Sequence, residues 1–152
     1  MIKKVEFNDL KEILQLQKLA YQSEAFLYND FTIPPLMETI EEITQQYNRH
    51  TIFKAEQNGK IIGSIRGYKI DNTGYIGRII VQPDHQNQGI GTRLIQEIEQ
   101  HFKTCNRFEL FTGHKSFKNI YLYEKLGYKK CKVIEEHERL HLVFLEKLMG
   151  DL

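Results

Sequence analysis

Val81-Gln82-Pro83-Asp84-His85-Gln86-Asn87-Gln88-Gly89-Ile90-Gly91-Thr92-Arg93-Leu94 organises the rest of this chain. A β-rich run, Tyr75-Ile76-Gly77-Arg78-Ile79-Ile80-Val81, leads into it, and apolar Leu94, Ile95, Ile98 and Phe102 follow at helical spacing. A strand therefore enters a turn at Pro83, and two glycines at i and i+2 open a helix. That arrangement aims several backbone N–H groups and the positive end of a helix dipole at one point, a site for an anion and above all for a phosphate. Side chains at Gly89 and Gly91 would stand between the amides and the phosphate oxygens, and glycine also permits positive φ. Two familiar phosphate motifs are excluded. No Gly-Lys-Ser/Thr follows, as a P-loop would require, and no third glycine or later ribose-binding acid completes a dinucleotide fingerprint.

The chain of 152 residues is read as one domain, large enough for a real core. A hydrophobic fraction of 41% and an aromatic fraction of 11% suit a globular protein. The net charge of +1 gives no bulk attraction to nucleic acid or an anionic membrane. Neither a membrane-spanning apolar run nor a signal-peptide core is present. Cys105 and Cys131 form no paired motif and read as reduced, buried thiols of a cytoplasmic protein.

Working outward, Ile2, Val5 and Phe7 predict an opening strand, and Asn8 or Asp9 a helix cap, with Glu12 completing a capping box behind Asp9. Leu10, Ile13, Leu14, Leu16, Leu19 and Ala20 form that helix's buried face. Gln22 to Pro35 reads as irregular, ended by a helix-stopping Pro34-Pro35. A second helix carries Leu36, Ile40, Ile43 and Tyr47. Thr51–Glu56 and Lys60–Ile70 are strands joined by Asn58-Gly59, the strongest hairpin signal in the chain. Asp71-Asn72-Thr73-Gly74 turns into the strand before the glycine loop. Beyond the loop's helix come a strand at Arg107–Thr112, a helix at Phe117–Leu126 and a strand at Tyr128–Glu135. A polar turn, Glu135-Glu136-His137-Glu138, then leads to a last strand at Leu140–Leu148. Periodicity alone gives a single α/β or α+β domain.

The loop resembles the acetyl-CoA loop of the GNAT superfamily of N-acetyltransferases. That pattern is Val-x-Pro, then Arg or Gln, two residues, Gly, one residue, and Gly or Ala. Here it reads Val81-Gln82-Pro83 and Gln86-Asn87-Gln88-Gly89-Ile90-Gly91, and a second family element, Leu-Tyr-Glu-Lys-Leu-Gly-Tyr, runs from Leu122 to Tyr128. The resemblance implies an α/β (α+β) GNAT fold, a mixed and mostly antiparallel central sheet with helices on both faces. It also implies an enzyme that moves an acetyl group from acetyl-CoA to a primary amine by direct attack in a ternary complex. A homodimer is compatible with it. A non-catalytic acetyl-CoA-binding regulatory module is the alternative.

By the same resemblance, the backbone amides of Gln88, Gly89, Ile90, Gly91 and Thr92 would hold the diphosphate, with the Thr92 hydroxyl as a further donor, and Gln86 and Asn87 complete the loop. Gln86 stands where the family has Arg or Gln and adds no charge. The amide of Ile79 or Ile80 would face the acetyl oxygen, and Val81 the pantetheine amides. Gly77 is either a bulge that splays this strand from its neighbour or an ordinary strand glycine. Tyr123 matches the family's general acid. Its reference pKa of ~10 against ~8.5 for a cysteine-like thiol is a mismatch of about 2 kcal/mol for full proton transfer, less for a hydrogen bond to a developing thiolate. Ser116 or Asn119 would replace the usual Asn contact to the coenzyme, Ser116 also capping its helix. Lys115, Lys118 and Lys125 are either solvated surface lysines or contacts to the expected 3′-phosphate.

Tyr75, Glu109 and His114 flank the expected cleft as bases, and none matches a fixed family position. His137 and His141, four apart, would share a strand face, but no third ligand makes a metal site. In the family the acceptor lies against the first two helices and the last hairpin. Glu24, Asp30, Glu38, Glu41 and Glu42 in the first segment and Glu135, Glu136 and Glu138 in the second either form a solvated helix face or draw a small or peptidic cationic amine onto Phe26, Tyr28 and Phe31.

Overall fold

A computed structural model describes residues 1–150. Seven strands form one sheet in the order β1-β2-β3-β4-β5-β7-β6. They are β1 (Ile2–Lys4), β2 (Thr51–Gln57), β3 (Lys60–Ile70), β4 (Thr73–Val81), β5 (Arg107–Gly113), β6 (Lys129–His137) and β7 (Leu140–Leu148). The helices are α1 (Leu10–Ala20), α2 (Gln22–Tyr28), α3 (Pro34–Met37), α4 (Ile40–Arg49), α5 (Ile90–His101) and α6 (Phe117–Lys125). Neighbouring strands pair antiparallel except β4 and β5, which are parallel. Among the described residues, no helix is long and apolar enough to cross a membrane.

Two cores lie on the two faces of the sheet. Ile65 of β3, Ile76 of β4 and Phe108 of β5 pack with Leu94, Ile95 and Ile98 of α5 and with Tyr123 of α6. Ile52, Ile61 and Ile80 pack with Leu10, Ile13 and Leu14 of α1 and Ile43 of α4. Alternation along a strand puts Ile52 and its neighbour Phe53 in opposite cores, as a pleated ribbon must. The close fit of α5 is set by Gly67 of β3, where a Cβ would come within 2.9 Å of Ile98 Cγ1. The Asn58-Gly59 hairpin forms with both residues at positive φ, 53° and 76°, the combination a type I′ turn needs.

Several sequence expectations are corrected. The opening strand stops at Lys4, and Phe7 sits half-exposed in a 3₁₀ turn at Phe7–Asp9. Because that turn runs straight into α1, Asp9 is already right-handed helical at φ −78° and ψ −18°, and it accepts from Glu6 N–H at 2.8 Å instead of capping α1. Glu12 accepts from Ile61 N–H at 2.9 Å. On α1, Leu19 is 50% exposed and Gln17 is wholly buried in its place. The segment expected to be irregular contains α2, closed by Asn29 at φ 49°. Pro34 and Pro35 start a helix rather than stop one, because the first turn leaves its N–H groups unpaired in any case. The last hairpin turns at Glu138-Arg139, so His137 and His141 occupy facing strands and not one strand. Cys105 is buried but Cys131 is exposed.

Candidate active site

The β4–β5 pair holds together for three partners, Thr73–Arg107, Gly74–Phe108 and Tyr75–Glu109, and no further. Beyond it β4 follows β3 through a register shift. Ser64 faces Ile80 and Arg66 faces Gly77, so Arg78 and Ile79 together stand opposite Ile65. This is a β-bulge, and Arg78 adopts φ 49° to make it. The extra residue reverses the alternation: Ile76 belongs to the α5 core and Ile80, four residues on, to the α1 core. The strand bends away from β5 and leaves the backbone of 76–81 along an open cleft of about 1390 Å³. The bulge lies one residue after Gly77, whose Cβ position faces open space.

At one end of the cleft is the glycine loop. Gln82 ties it to β3 through its N–H and the Ile62 carbonyl at 2.7 Å, and its side chain accepts from Asp84 N–H at 2.6 Å. A 3₁₀ turn at Pro83–His85 follows, then Asn87 at φ 64° and Gly89 at φ 79° as the residue before α5. The first backbone bond of α5 runs from Arg93 N–H to the Gly89 carbonyl at 3.1 Å. The amides of Ile90, Gly91 and Thr92 precede it with no helical acceptor, and the dipole adds positive potential there. A Cβ at Gly89 would meet nothing within 4 Å, so the space before these amides is clear. Gly91 does not need positive φ; its Cβ would touch Leu122 Cδ2 at 3.4 Å.

Ile79, Ile80, Val81, Gln86, Asn87, Gly89, Ile90, Gly91 and Thr92 all line this cleft; Gln88, of the same expected set, does not. Gln86 turns its Nε2 to the Val81 carbonyl at 3.5 Å. Lys115, Lys118 and Lys125 line the cleft too, and they outnumber its acidic residues, Glu24 and Glu136. Bare helix-end amides, an open glycine cradle and a cationic lining fit the diphosphate and 3′-phosphate of a coenzyme A.

Tyr123 reaches the cleft from α6. It is only 4% exposed, and its hydroxyl makes no hydrogen bond to any described residue. Burial, and then Tyr21 and Glu24 nearby, push its pKa well above the usual tyrosine range. The phenol therefore stays protonated throughout the neutral range, a hydrogen-bond donor and not a base.

Ser116 and Asn119 both spend donors on Glu24 of α2. Ser116 Oγ donates to Glu24 Oε2 at 2.7 Å, and Asn119 Nδ2 bonds Glu24 Oε1 and Thr112 Oγ1 at 3.2 Å each. Ser116 makes no side-chain cap on α6. Tyr28 Oη lies 2.8 Å from Ser116 Oγ and accepts from Lys115 N–H at 2.9 Å. A serine has one proton, and it goes to Glu24, so Tyr28 must donate to Ser116. The order is Lys115 N–H to Tyr28, Tyr28 to Ser116, Ser116 to Glu24, all pointing one way. Tyr28 fits because it lies against Gly113, where any Cβ would overlap its hydroxyl.

The acidic field expected around the acceptor is thinner than its sequence. Glu38 is buried, held by Arg66 through two bonds of 2.7 and 3.0 Å, and it accepts from Gln17 Nε2 at 2.8 Å. Burial alone would raise its carboxyl; the bonds from Arg66 and Gln17 and the charges of Arg66 and Arg78 prevail and hold it below the usual glutamate range. Glu42 bonds Thr39 in the capping box of α4. Phe26 is 74% exposed against Phe31, and Tyr28 is buried rather than part of an aromatic shelf.

None of the three candidate bases lines the cleft. Tyr75 stacks on Tyr68, Glu109 bonds Arg107 at 2.7 Å, and His114 Nδ1 accepts from His141 N–H at 2.9 Å. No group of three or more potential metal ligands occurs among the described residues. Sequence reasoning missed Gln17, Tyr21 and Arg78 as parts of this region. Arg78 had one legible signal, its place next to a strand glycine.

Glu38 supports a pH prediction. A carboxyl held below its unfolded value contributes stability that is complete above the ordinary glutamate range and is lost as pH falls through its folded value. Melting temperatures measured from pH 7 to pH 3 should fall on the acid side. Glu38→Gln should melt lower at pH 7 and lose less over the same interval. Parallel curves for the two proteins would remove Glu38 from the acid response.

Comparison with known proteins agrees with this geometry. Residues 10–128 match the Acetyltransferase (GNAT) family. The chain is 30% identical over 132 residues to the UPF0157 protein YqkA of Bacillus subtilis, covering 87% of this chain but 38% of that protein's length. It is 31% identical over 139 residues to N-alpha-acetyltransferase 30 of Dictyostelium discoideum, covering 80% of this chain and 72% of the relative. The fold superposes on the ribosomal-protein-S18-alanine N-acetyltransferase of Escherichia coli with a TM-score of 0.83 at 19% identity, over 100% of this chain and 95% of that one. It matches the PaiA N-acetyltransferase of Thermoplasma acidophilum, solved with coenzyme A, with a TM-score of 0.78 at 18% identity, over 97% and 98% of the two chains. This chain belongs to the GNAT family of acetyltransferases, whose acetyl donor is acetyl-CoA.

Proposed function

We propose that the chain transfers an acetyl group from acetyl-CoA to a primary amine by direct attack in a ternary complex, the amine being small or peptidic, arriving as an ammonium ion and giving up one proton to water before its lone pair attacks. The observation that carries this reading is the convergence, on one cleft, of the α5 amides, the unpaired edge of β4 and the free hydroxyl of Tyr123. When bound, acetyl-CoA supplies the activated thioester. The amides of Ile90, Gly91 and Thr92 bind the diphosphate, and the β4 backbone from Ile79 to Val81 orients the pantetheine arm. Tyr123 keeps its proton on the phenolic oxygen and donates a hydrogen bond to the departing sulfur, which leaves as a thiolate and takes its proton from water. Glu24, fixed by Ser116 and Asn119, faces the positive charge of the incoming amine.

The names of the Escherichia coli and Dictyostelium proteins, which specify a ribosomal-protein alanine and an N-alpha position, support a primary amine as the acceptor class. Two unpaired cysteines suit a cytoplasmic setting. The test is a calorimetric titration with acetyl-CoA, then thiol release measured with polyamines, aminoglycosides, amino acids and peptides. Saturable heat and amine-dependent thiol release are expected. Binding without turnover on any amine would make the chain a coenzyme-binding module, and absence of binding would end the reading altogether.

A further inference from the structure

Beneath the acceptor side of the cleft lies a polar cluster with an uneven charge count. Arg66 and Arg78 carry two guanidinium groups, and among the described residues Glu38 supplies the only carboxylate bonded or ion-paired to either. Three bonds already converge on that carboxylate: Arg66 donates to both of its oxygens, and Gln17 donates to Oε1 while accepting from Arg66 at 2.7 Å. Arg78 Nε approaches no closer than 3.9 Å to Glu38 Oε1, beyond hydrogen-bond reach. It is the buried side-chain nitrogen that finds no partner among the described residues. No other nitrogen of Arg78 donates to a described residue either, and the side chain lines the cleft with 28% of its surface open. It can therefore present unused donors to a bound molecule.

The backbone agrees. Arg78 is the bulge residue, at φ 49°, a conformation that costs a side-chain-bearing residue strain. A glycine would sit there more easily. The bulge places a long cationic side chain 3.9 Å from Glu38, which follows α3, and close enough to Tyr21, at the end of α1, for its charge to act on that phenol. The coenzyme's phosphates have their own donors at the glycine loop, so this positive charge is left for the other substrate.

We infer that Arg78 is a specificity residue that binds a carboxylate on the acceptor, so that the preferred substrate is an amine that also carries a carboxylate. A planar guanidinium with several free donors matches a carboxylate by two parallel bonds. The same group would repel a polyamine, whose every polar end is positive. The carboxylate can come from a free amino acid or from an acidic residue near a peptide's N-terminus. The inference rests on the acetyltransferase reading above and adds to it the chemistry of the acceptor.

The experiment compares matched acceptors: amino acids, their carboxamides and their decarboxylated amines, beside tripeptides with aspartate or asparagine at the second position. Thiol release is measured for the parent protein, Arg78→Gln and Arg78→Lys, with melting temperatures to confirm folding. The parent should favour the carboxylate member of one series by about tenfold or more in kcat/KM, the scale of one bond to a charged group. Arg78→Gln should bring that ratio near one, chiefly through KM, and Arg78→Lys should keep part of it. The series that shows the preference identifies the source of the carboxylate. Equal rates for carboxylate and amide, or a preference that survives Arg78→Gln, would overturn the inference while leaving the acetyltransferase intact.

A second measurement does not need turnover. With coenzyme A present, either N-acetyl amino acids or N-acetyl tripeptides with aspartate at the second position should raise the parent's melting temperature more than their carboxamide and asparagine counterparts do, and Arg78→Gln should erase the difference. If no amine is acetylated yet this difference is seen, the carboxylate site stands and the catalytic reading falls. If the melting temperatures do not differ, the carboxylate site falls.

Discussion

Tyr123→Phe should lower kcat about 10²-fold or more and leave the KM for acetyl-CoA close to the parent value. The substitution keeps the ring that packs between α5, α6 and the sheet and removes one oxygen. That oxygen bonds to no described residue, so its loss leaves no protein group unsatisfied, and the melting temperature should hardly move. What is lost is a proton that burial keeps in place across neutral pH. Because the proton matters only as the thiolate departs, the damage belongs in kcat and not in binding. Steady-state thiol release beside a thermal melt separates the two. A kcat equal to the parent's would reduce Tyr123 to a packing residue.

Gly89→Val should abolish measurable acetyl-CoA binding, a rise in Kd of about 10²-fold or more, while the protein still folds. Gly89 sits at φ 79°, where a residue with a side chain is strained by about 1–2 kcal/mol and a β-branched one by more. Its Cβ would meet no neighbour within 4 Å, so no clash adds to that strain. For a chain of this length the melt should drop by roughly 2–4 °C per kcal/mol. The added branches stand in front of the amides of Ile90 and Gly91, where the diphosphate is expected. Calorimetry decides: parent-like heat and affinity in the variant would place the coenzyme elsewhere.

The legible parts of this chain are those whose signal is local. The bounds of β3 and β7 are legible to the residue because polar turns punctuate them, Asn58-Gly59 and Asp71-Asn72 around β3 and the charged run ending at Arg139 before β7. The start of α5 is written in Gly89 and in the spacing of Leu94, Ile95 and Ile98. α2 was illegible because it buries only Ala25 and Tyr28 while exposing Phe26 and Leu27, so it has no stripe to read. Pro34-Pro35 misled because proline suits a helix's first turn as well as its end. The bond from Ser116 to Glu24 spans 92 positions, and that from Arg66 to Glu38 spans 28. No spacing rule reaches so far. The same distance hid Glu38's neutralisation, since a glutamate reads as acidic field until its guanidinium is seen. The bulge at Arg78 is defined by its partners on β3, and sequence shows only the glycine beside it.

The division of the apolar interior into two separate clusters has a bearing on how such a chain can diverge. The helix whose amides would receive the nucleotide portion is anchored in one cluster, and the helices flanking the second substrate are anchored mainly in the other, with a hydrogen-bonded sheet between them. Changes in the packing of α1 or α4 are thus largely insulated from the geometry of α5. One side can drift toward new amines over generations while the opposite side goes on presenting the same acyl carrier, so that novelty in substrate choice need not be won at the expense of donor recognition.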